Sequence, residues 1–371
     1  MFDFQVLGAD GKARVGRLST PHGAVETPLF MPCGTCGTVK GVSPDQLRAA
    51  GMQMVLANAY HLMLRPGADV VAALGGLHAM MAWDGPLLTD SGGYQVFSLA
   101  SRRQVTDEGV VFRSHVDGAR VPLTPESSVA IQAHLGADVM MQLDECPPAD
   151  ASADEVARAV RRSADWARRA RDAWRQAGAD ERQALFGIQQ GGTDPALRAE
   201  SAQRLVELDL PGYAVGGVSV GESREAMATV LAGIDAQLPR DRPRYLMGVG
   251  EPRDLLAGVA AGVDLFDCVL PTRNGRNAQA FTLAGRVKLR NAACARDPRP
   301  IDADCDCYTC RHFSRAALRH YVQAGEMLAA TLVTIHNLRF FARLTAAIRQ
   351  AIAEGCFARR SAEWIERMYP P

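Results

Sequence analysis

The chain has 371 residues, 47% hydrophobic and 22% charged, and its 41 basic side chains balance 41 acidic ones. This composition supports a sizeable core, excludes disorder as the main story, and contains nothing near the ~18 uninterrupted apolar residues of a membrane span. Nine unevenly spread cysteines argue against a disulfide framework and for a reducing cytoplasm, and Met1-Phe2-Asp3-Phe4 lacks the basic and apolar segments of a secretory leader.

Residues 1–27 open with alternating character and a turn at Ala9-Asp10-Gly11, which predicts a β-hairpin or small antiparallel sheet. Eight short apolar runs follow, each ending in small or polar residues: Leu29–Gly34, Met54–His61, Leu87–Gly93, Asp138–Glu145, Leu185–Gly192, Tyr213–Ser219, Tyr245–Gly250 and Val263–Pro271. Unbroken apolar runs are what strands buried on both faces look like. Eight of them predict an α/β fold, a (β/α)8 TIM barrel over residues 28–272. Helical patterns lie between the runs at Ser43–Ala50, Pro125–Leu135, Ala153–Gln176, Pro195–Leu208, Ser223–Leu238 and Pro252–Gly262. Several begin with Ser, Thr or Asp before Pro, a capped first turn. In the third unit, about residues 96–123, Gly109–His115 and Ala119–Leu123 alternate like strands and predict an antiparallel insertion.

Past Pro271 the rhythm breaks. Residues 273–371 read as a basic, zinc-binding, helical subdomain, with helices from about Ser314 to Tyr369. From Pro271 onward there are 16 basic and 8 acidic residues, so the preceding 270 carry 25 and 33. The neutral sum hides a division of −8 and +8, and a basic end suits a polyanionic partner. Cys305-Asp306-Cys307-Tyr308-Thr309-Cys310 places three thiols within six residues, a spacing suited to tetrahedral zinc with a fourth ligand from elsewhere. His312, His320 and His336 compete for that position. Four protein ligands would make the site structural.

Chemistry in such a barrel sits where the strands end. Those ends bring Asp90, Asp144-Glu145, Gln189-Gln190, Gly216-Gly217, Gly248 to Glu251, and Asp264 with Asp267 to one rim. Several carboxylates converging there would repel unless they bind a cation or share catalytic work. Paired carboxylates flanking one carbon suit glycosidic chemistry. The Gly-Gly turns at Gly92-Gly93 and Gly216-Gly217 offer backbone N–H groups to a flat polar ligand.

These residues resemble the tRNA-guanine transglycosylases through nearly the whole chain. The matching motifs are Met31-Pro32-Cys33-Gly34-Thr35, Asn58-Ala59-Tyr60-His61-Leu62, Asp90 to Phe97, Asp144-Glu145-Cys146, Gly187 to Gly191, Gly216-Gly217, Gly221-Glu222, Phe266 to Val269, Pro271 to Arg276, and the cysteine cluster with His336. The resemblance implies a zinc-bearing barrel that exchanges guanine in a tRNA anticodon loop for a 7-deazaguanine. By motif position it implies Asp267 as nucleophile at the ribose C1′ and Asp90 as general acid/base. It implies a base pocket of Asp90, Ser91, Gly92, Gly93, Asp144, Gln190, Gly216 and Gly217, with Tyr94 and Met247 as stacking faces. RNA contacts are implied for Gly248, Val249, Gly250, Glu251, Pro252, Arg253 and Asp254, and for Thr272, Arg273, Asn274, Gly275 and Arg276. One structural zinc is implied on Cys305, Cys307, Cys310 and His336. Cys146 and Val220 resemble bacterial members that take preQ1 rather than queuine, and a homodimer is implied by the family alone. Asp264 and Asp267, three apart, face opposite ways, so only the latter is expected at the site. Two competing readings are a non-catalytic tRNA-binding partner subunit, disfavoured because both carboxylates are present, and a barrel glycoside hydrolase with incidental zinc.

Overall fold

The computed structural model describes residues 2–95, 103–218 and 222–370. Strands β1 (Asp3–Asp10), β2 (Ala13–Thr20) and β3 (Gly23–Thr27) form the expected antiparallel sheet. The eight apolar runs become eight parallel strands of a closed barrel: β4 (Leu29–Gly34), β5 (Val55–Ala57), β6 (Leu87–Thr89), β10 (Val139–Met141), β11 (Ala184–Gln189), β12 (Gly212–Val215), β13 (Arg244–Leu246) and β14 (Leu265–Cys268), which returns to β4. Met31, Leu56, Leu88, Met141, Phe186, Ile188 and Leu265 belong to one buried strand cluster. Strands β7 (Arg103–Val105), β8 (Val110–Arg113) and β9 (Arg120–Leu123) make the antiparallel insertion. It precedes the helix of its unit rather than replacing it. Residues 96–102 of that segment, with Ser219, Val220 and Gly221, lie outside the described residues.

The barrel helices are α1 (Pro44–Ala49), α2 (Ala59–Leu64), α3 (Ala68–Ala73), α4 (Gly76–Met81), α5 (Pro125–Leu135), α6 (Ala153–Gln176), α7 (Pro195–Val206), α8 (Arg224–Gln237), α9 (Pro252–Ala260) and α10 (Leu270–Arg276). The predicted caps hold. Ser43 and Thr124 each close a capping box, the Asp194 carboxylate accepts from the N–H groups of Ala196 and Leu197, and Ser152, before Ala153 rather than proline, closes a further box. The second unit departs from its reading: the run Met54–His61 is strand only to Ala57. There the Asn58 side chain accepts from the His61 N–H and starts α2, because a cap residue followed by apolar residues serves a helix as well as a strand.

Beyond the barrel come β15 (Gln279–Thr282), β16 (Gly285–Lys288), α11 (Tyr308–His312), α12 (Arg315–Ala324), the 27-residue α13 (Met327–Ala353) and α14 (Phe357–Met368). Helix α13 seals the seam between the first and last barrel strands. Phe341 stacks on Phe30 of β4 at 4.3 Å, Arg349 donates to the Pro28 carbonyl at 2.8 Å, and Asn337 donates to the Pro271 carbonyl at 3.0 Å. Gly275 of α10 lies so close that a Cβ there would stand 2.2 Å from Thr334 Oγ1.

Candidate active site and metal centre

Asp90 follows β6 and Asp267 lies within β14, and both carboxylates are buried. Asp90 Oδ1 accepts from the Ala59 N–H at 2.9 Å and the Gly92 N–H at 3.2 Å, while Oδ2 accepts from the Asn58 amide. The helix-starting Asn58-Ala59 segment of the second unit is therefore wrapped around the third unit's carboxylate. Burial pushes the Asp90 carboxyl up to about 7, opposed by the Ala59 and Gly92 N–H groups and assisted by the charge of Asp267. A carboxyl poised there can exchange a proton near neutral pH.

Asp267 is held differently. Its Oδ1 accepts from Tyr245 Oη at 2.6 Å and from the Gly248 N–H at 2.7 Å. Among the described residues its Oδ2 meets only the weak donor Cys33 Sγ, at 3.5 Å. Burial raises this carboxyl too, and the Tyr245, Gly248 and Cys33 donors pull it back down. One oxygen is anchored and the other is left comparatively free. Asp264 stands at the opposite end of the barrel, bound to Arg14 at 2.5 Å. Of the two acids read near that strand, only Asp267 reaches the rim.

Glycines pack closely against Asp144 and Gln190 on the same rim. A Cβ on Gly93 would stand 2.9 Å from the Asp144 carbonyl, and one on Gly217 would stand 2.7 Å from Gln190 Oε1. Asp144 Oδ2 accepts from Gln190 Nε2 at 2.6 Å, and burial pushes its carboxyl up to about 6. Gln190 Oε1 is buried with no partner among the described residues, and such an orphan acceptor costs free energy until a donor meets it. A cavity of about 220 Å³ lined by Pro147, Gln190, Gly191, Gly217 and Glu222 opens beside it. Ser91 Oγ accepts from the Gly93 N–H at 3.2 Å, which shapes this turn. Tyr94 is half exposed at the mouth, and Met247 is partly buried against the strand cluster.

In the C-terminal region Cys305, Cys307, Cys310 and His336 bring ligand atoms within 4.8 Å of one another. His336 is fully buried, with Nδ1 3.3 Å from Cys310 Sγ and 3.8 Å from Cys307 Sγ. Its Nε2 lies 2.8 Å from the Phe281 carbonyl. That acceptor keeps the proton on Nε2 and frees the Nδ1 lone pair to face the sulfurs. Three thiolates and one imidazole fit a closed tetrahedral zinc site. Neither His312 nor His320 shares the cluster.

A family model described as queuine tRNA-ribosyltransferase matches residues 10–370. The chain is 54% identical to a queuine tRNA-ribosyltransferase of Thermus thermophilus over 99% of its own length and 94% of that protein's. It is 54% identical to the one from Novosphingobium aromaticivorans, covering 98% of this chain and 97% of that one. The Moorella thermoacetica protein of the same name is 52% identical, with coverages of 98% and 97%. The chain belongs to the queuine tRNA-ribosyltransferase family.

The rim that the family resemblance gives to RNA divides by exposure in this family member. Val249, Gly250, Pro252, Thr272, Asn274 and Gly275 are buried, whereas Gly248, Arg273 and Arg276 face solvent. Glu251 accepts from Tyr369 Oη and from Arg286, and Arg253 stacks on the Tyr369 ring at 4.0 Å. Asp254 pairs with Arg224 at 3.2 Å. The sequence assigns no role to Asn58, Tyr245, Arg198 or Cys33 beyond the motifs and runs in which they stand. Asn58 stands in a matching motif, and Tyr245 opens an apolar run. Their donation to Asp90 and Asp267 depends on which strands become neighbours, which no local pattern reports.

Proposed function

We propose that this member of the family exchanges the wobble guanine of GUN-anticodon tRNAs for preQ1 by a covalent double displacement. The chain is a tRNA-guanine transglycosylase, a pentosyltransferase of queuosine synthesis. One observation carries the finer reading: two buried carboxylates on one barrel rim with different hydrogen-bonding, Asp267 with one oxygen held only by the weak Cys33 donor among the described residues and Asp90 poised to about 7.

Asp267 Oδ2 attacks the ribose C1′ while Oδ1 stays anchored by Tyr245 and Gly248. The C1′–N9 bond breaks, its electron pair leaves with guanine, and the protonated Asp90 supplies a proton to the departing base. In the second half the incoming preQ1 gives its N9 proton to Asp90, N9 attacks C1′, and the Asp267 carboxylate leaves. Atoms and charge balance without an external acid, as in a retaining glycosidase with a base in place of water. Water must be kept out, or the ester hydrolyses to an abasic site. Asp144, Gln190 and the Gly216-Gly217 backbone hold the base between Tyr94 and Met247, with Ser91, Gly92 and Gly93 shaping the floor. Buried Asp144 and the unmatched Gln190 Oε1 support that reading, since both seek polar groups on a ligand. The base must leave its stack to enter, which favours a loop over a duplex.

Zinc, one per chain, sits on Cys305, Cys307, Cys310 and His336 and holds the basic region together. It takes no part in the chemistry. The exposed Arg273 and Arg276, together with the rim from Gly248 into the start of α9 at Asp254, approach the RNA backbone. Cys146, which follows Asp144-Glu145, favours preQ1 over queuine. We further propose a homodimer acting in the cytoplasm; no helix of the described residues is long and apolar enough to cross a membrane.

The test is incorporation of labelled guanine into a GUN-anticodon tRNA with preQ1 and queuine as competitors. PreQ1 should compete and queuine should not. Asp267→Ala should abolish exchange and keep tRNA binding, and full activity in that variant would remove the nucleophile assignment.

A further inference from the structure

Arg198 stands in the first turn of α7, and only 2% of it is exposed. Its guanidinium is surrounded by four backbone carbonyls. Nε donates to Gly192 at 2.8 Å, Nη1 to Gln189 at 3.1 Å, and Nη2 to Gly216 at 2.8 Å and Gly217 at 3.4 Å. Two of those carbonyls lie at and just past the end of β11 and two follow β12, so one side chain ties adjacent strand ends together. Gln189 Nε2 answers by donating to the Arg198 carbonyl at 2.9 Å. The approach leaves no slack, because a Cβ on Gly191 would stand 2.7 Å from the Arg198 backbone nitrogen.

A trans peptide points its N–H opposite to its C=O. Drawing the Gly216 and Gly217 carbonyls toward Arg198 therefore turns the N–H groups of Gly217 and Val218 away from it. Gly217 adopts φ +65, a left-handed conformation suited to such a turn. Successive N–H groups on one side make a concavity for an acceptor oxygen. Gln190, whose Nε2 binds Asp144, borders the same glycine.

We propose that Arg198 is a positioning residue of the base pocket: by fixing the Gly216 and Gly217 carbonyls it presents the N–H groups of Gly217 and Val218 to the 6-oxo acceptor of the exchanging base. This rests on the base-pocket reading above. A planar fork of five donors can span two strand ends, which the compact ammonium of lysine cannot.

The test is Arg198→Lys, assayed for inhibition by guanine and by 6-thioguanine, which keeps N1–H but carries a weaker acceptor. The wild-type preference for guanine should shrink about tenfold, the loss of ~1.4 kcal/mol of discrimination, while the KM for tRNA and the zinc content stay unchanged. Because a buried arginine can matter for folding, Arg198→Ala is assayed alongside with and without added guanidinium ion. Restored guanine preference with guanidinium, and not with equal sodium chloride, supports the role. An undiminished preference in the lysine variant, or equal rescue by both salts, overturns it. Wild-type protein that exchanges no guanine overturns the proposed function instead, so the two failures are distinguishable.

Discussion

Asp90 and Asp267 carry the same functional group and are given different work by their neighbours. Asp90 faces the N–H groups of Ala59 and Gly92 and the Asn58 amide, and burial still leaves it near 7. Its folded value lies above the usual carboxylate range, so it holds a proton at pH values where an exposed Asp has lost it. In the proposed mechanism guanine displacement needs Asp90 protonated and Asp267 ionised. The rate of forming the covalent intermediate should therefore trace a bell, falling about tenfold per pH unit above the Asp90 value. Rapid-quench measurement across pH 5–9 checks this, and a rate flat from pH 6 to 9 would contradict the assignment. At this scale much was legible: the acids, the glycine pairs and the zinc cysteines stand in recognisable motifs. The donors were not. Tyr245 opens an apolar run and looks like core until β13 and β14 pair and place its hydroxyl 2.6 Å from Asp267.

Eight apolar runs became eight strands because a strand buried on both faces has no polar alternation to blur it. Their ends were less legible, as at Asn58, where one residue closes a strand, caps a helix and binds Asp90. Helix α10 directly follows the strand that carries Asp267 and is pressed against α13 at Gly275. Gly275→Ala should force these helices apart and lower stability by roughly 1–3 kcal/mol, read as a lowered Tm. It should also lower kcat by moving the Asp267 strand end. An unchanged Tm would show that the contact yields freely. The choice among three histidines was open in spacing alone and is decided by helix α13, which aims buried His336 at the sulfurs. Cys307→Ser should lower zinc content and Tm together, since structural zinc stabilises the fold that holds it. Metal analysis with calorimetry checks this; a zinc-free protein with unchanged melting would remove the structural-metal reading.

Across the whole molecule, the net charge of zero is a division between an acidic barrel of −8 and a basic end of +8. That end is not appended loosely. Tyr369 reaches Glu251 beside the rim, and Phe357 N–H donates to Asp10 of the N-terminal sheet at 2.8 Å. The same sheet closes the far end of the barrel through the buried Arg14–Asp264 pair. Asp264 stays raised by burial even with Arg14 beside it. Arg14→Met should cost about 3–5 kcal/mol at neutral pH, the cost of an uncompensated buried carboxylate. A raised folded value means that the protonated form is favoured by folding, so this penalty is present above the carboxylate range and fades as pH falls toward ~4. Denaturant unfolding of both proteins at pH 7 and pH 4 checks the sign. A gap that widens in acid would contradict it. None of this pairing was legible, because 250 residues separate the partners.

The central proposal is a bond between Asp267 and C1′ of the wobble ribose. Incubation with a GUN-anticodon tRNA, rapid denaturation without free base, and peptide mapping of the RNA-linked fragment test it most directly. The expected result is a covalent adduct on Asp267 that disappears when preQ1 is added and never forms in Asp267→Asn. An adduct on another residue, or full exchange by Asp267→Asn, would contradict it.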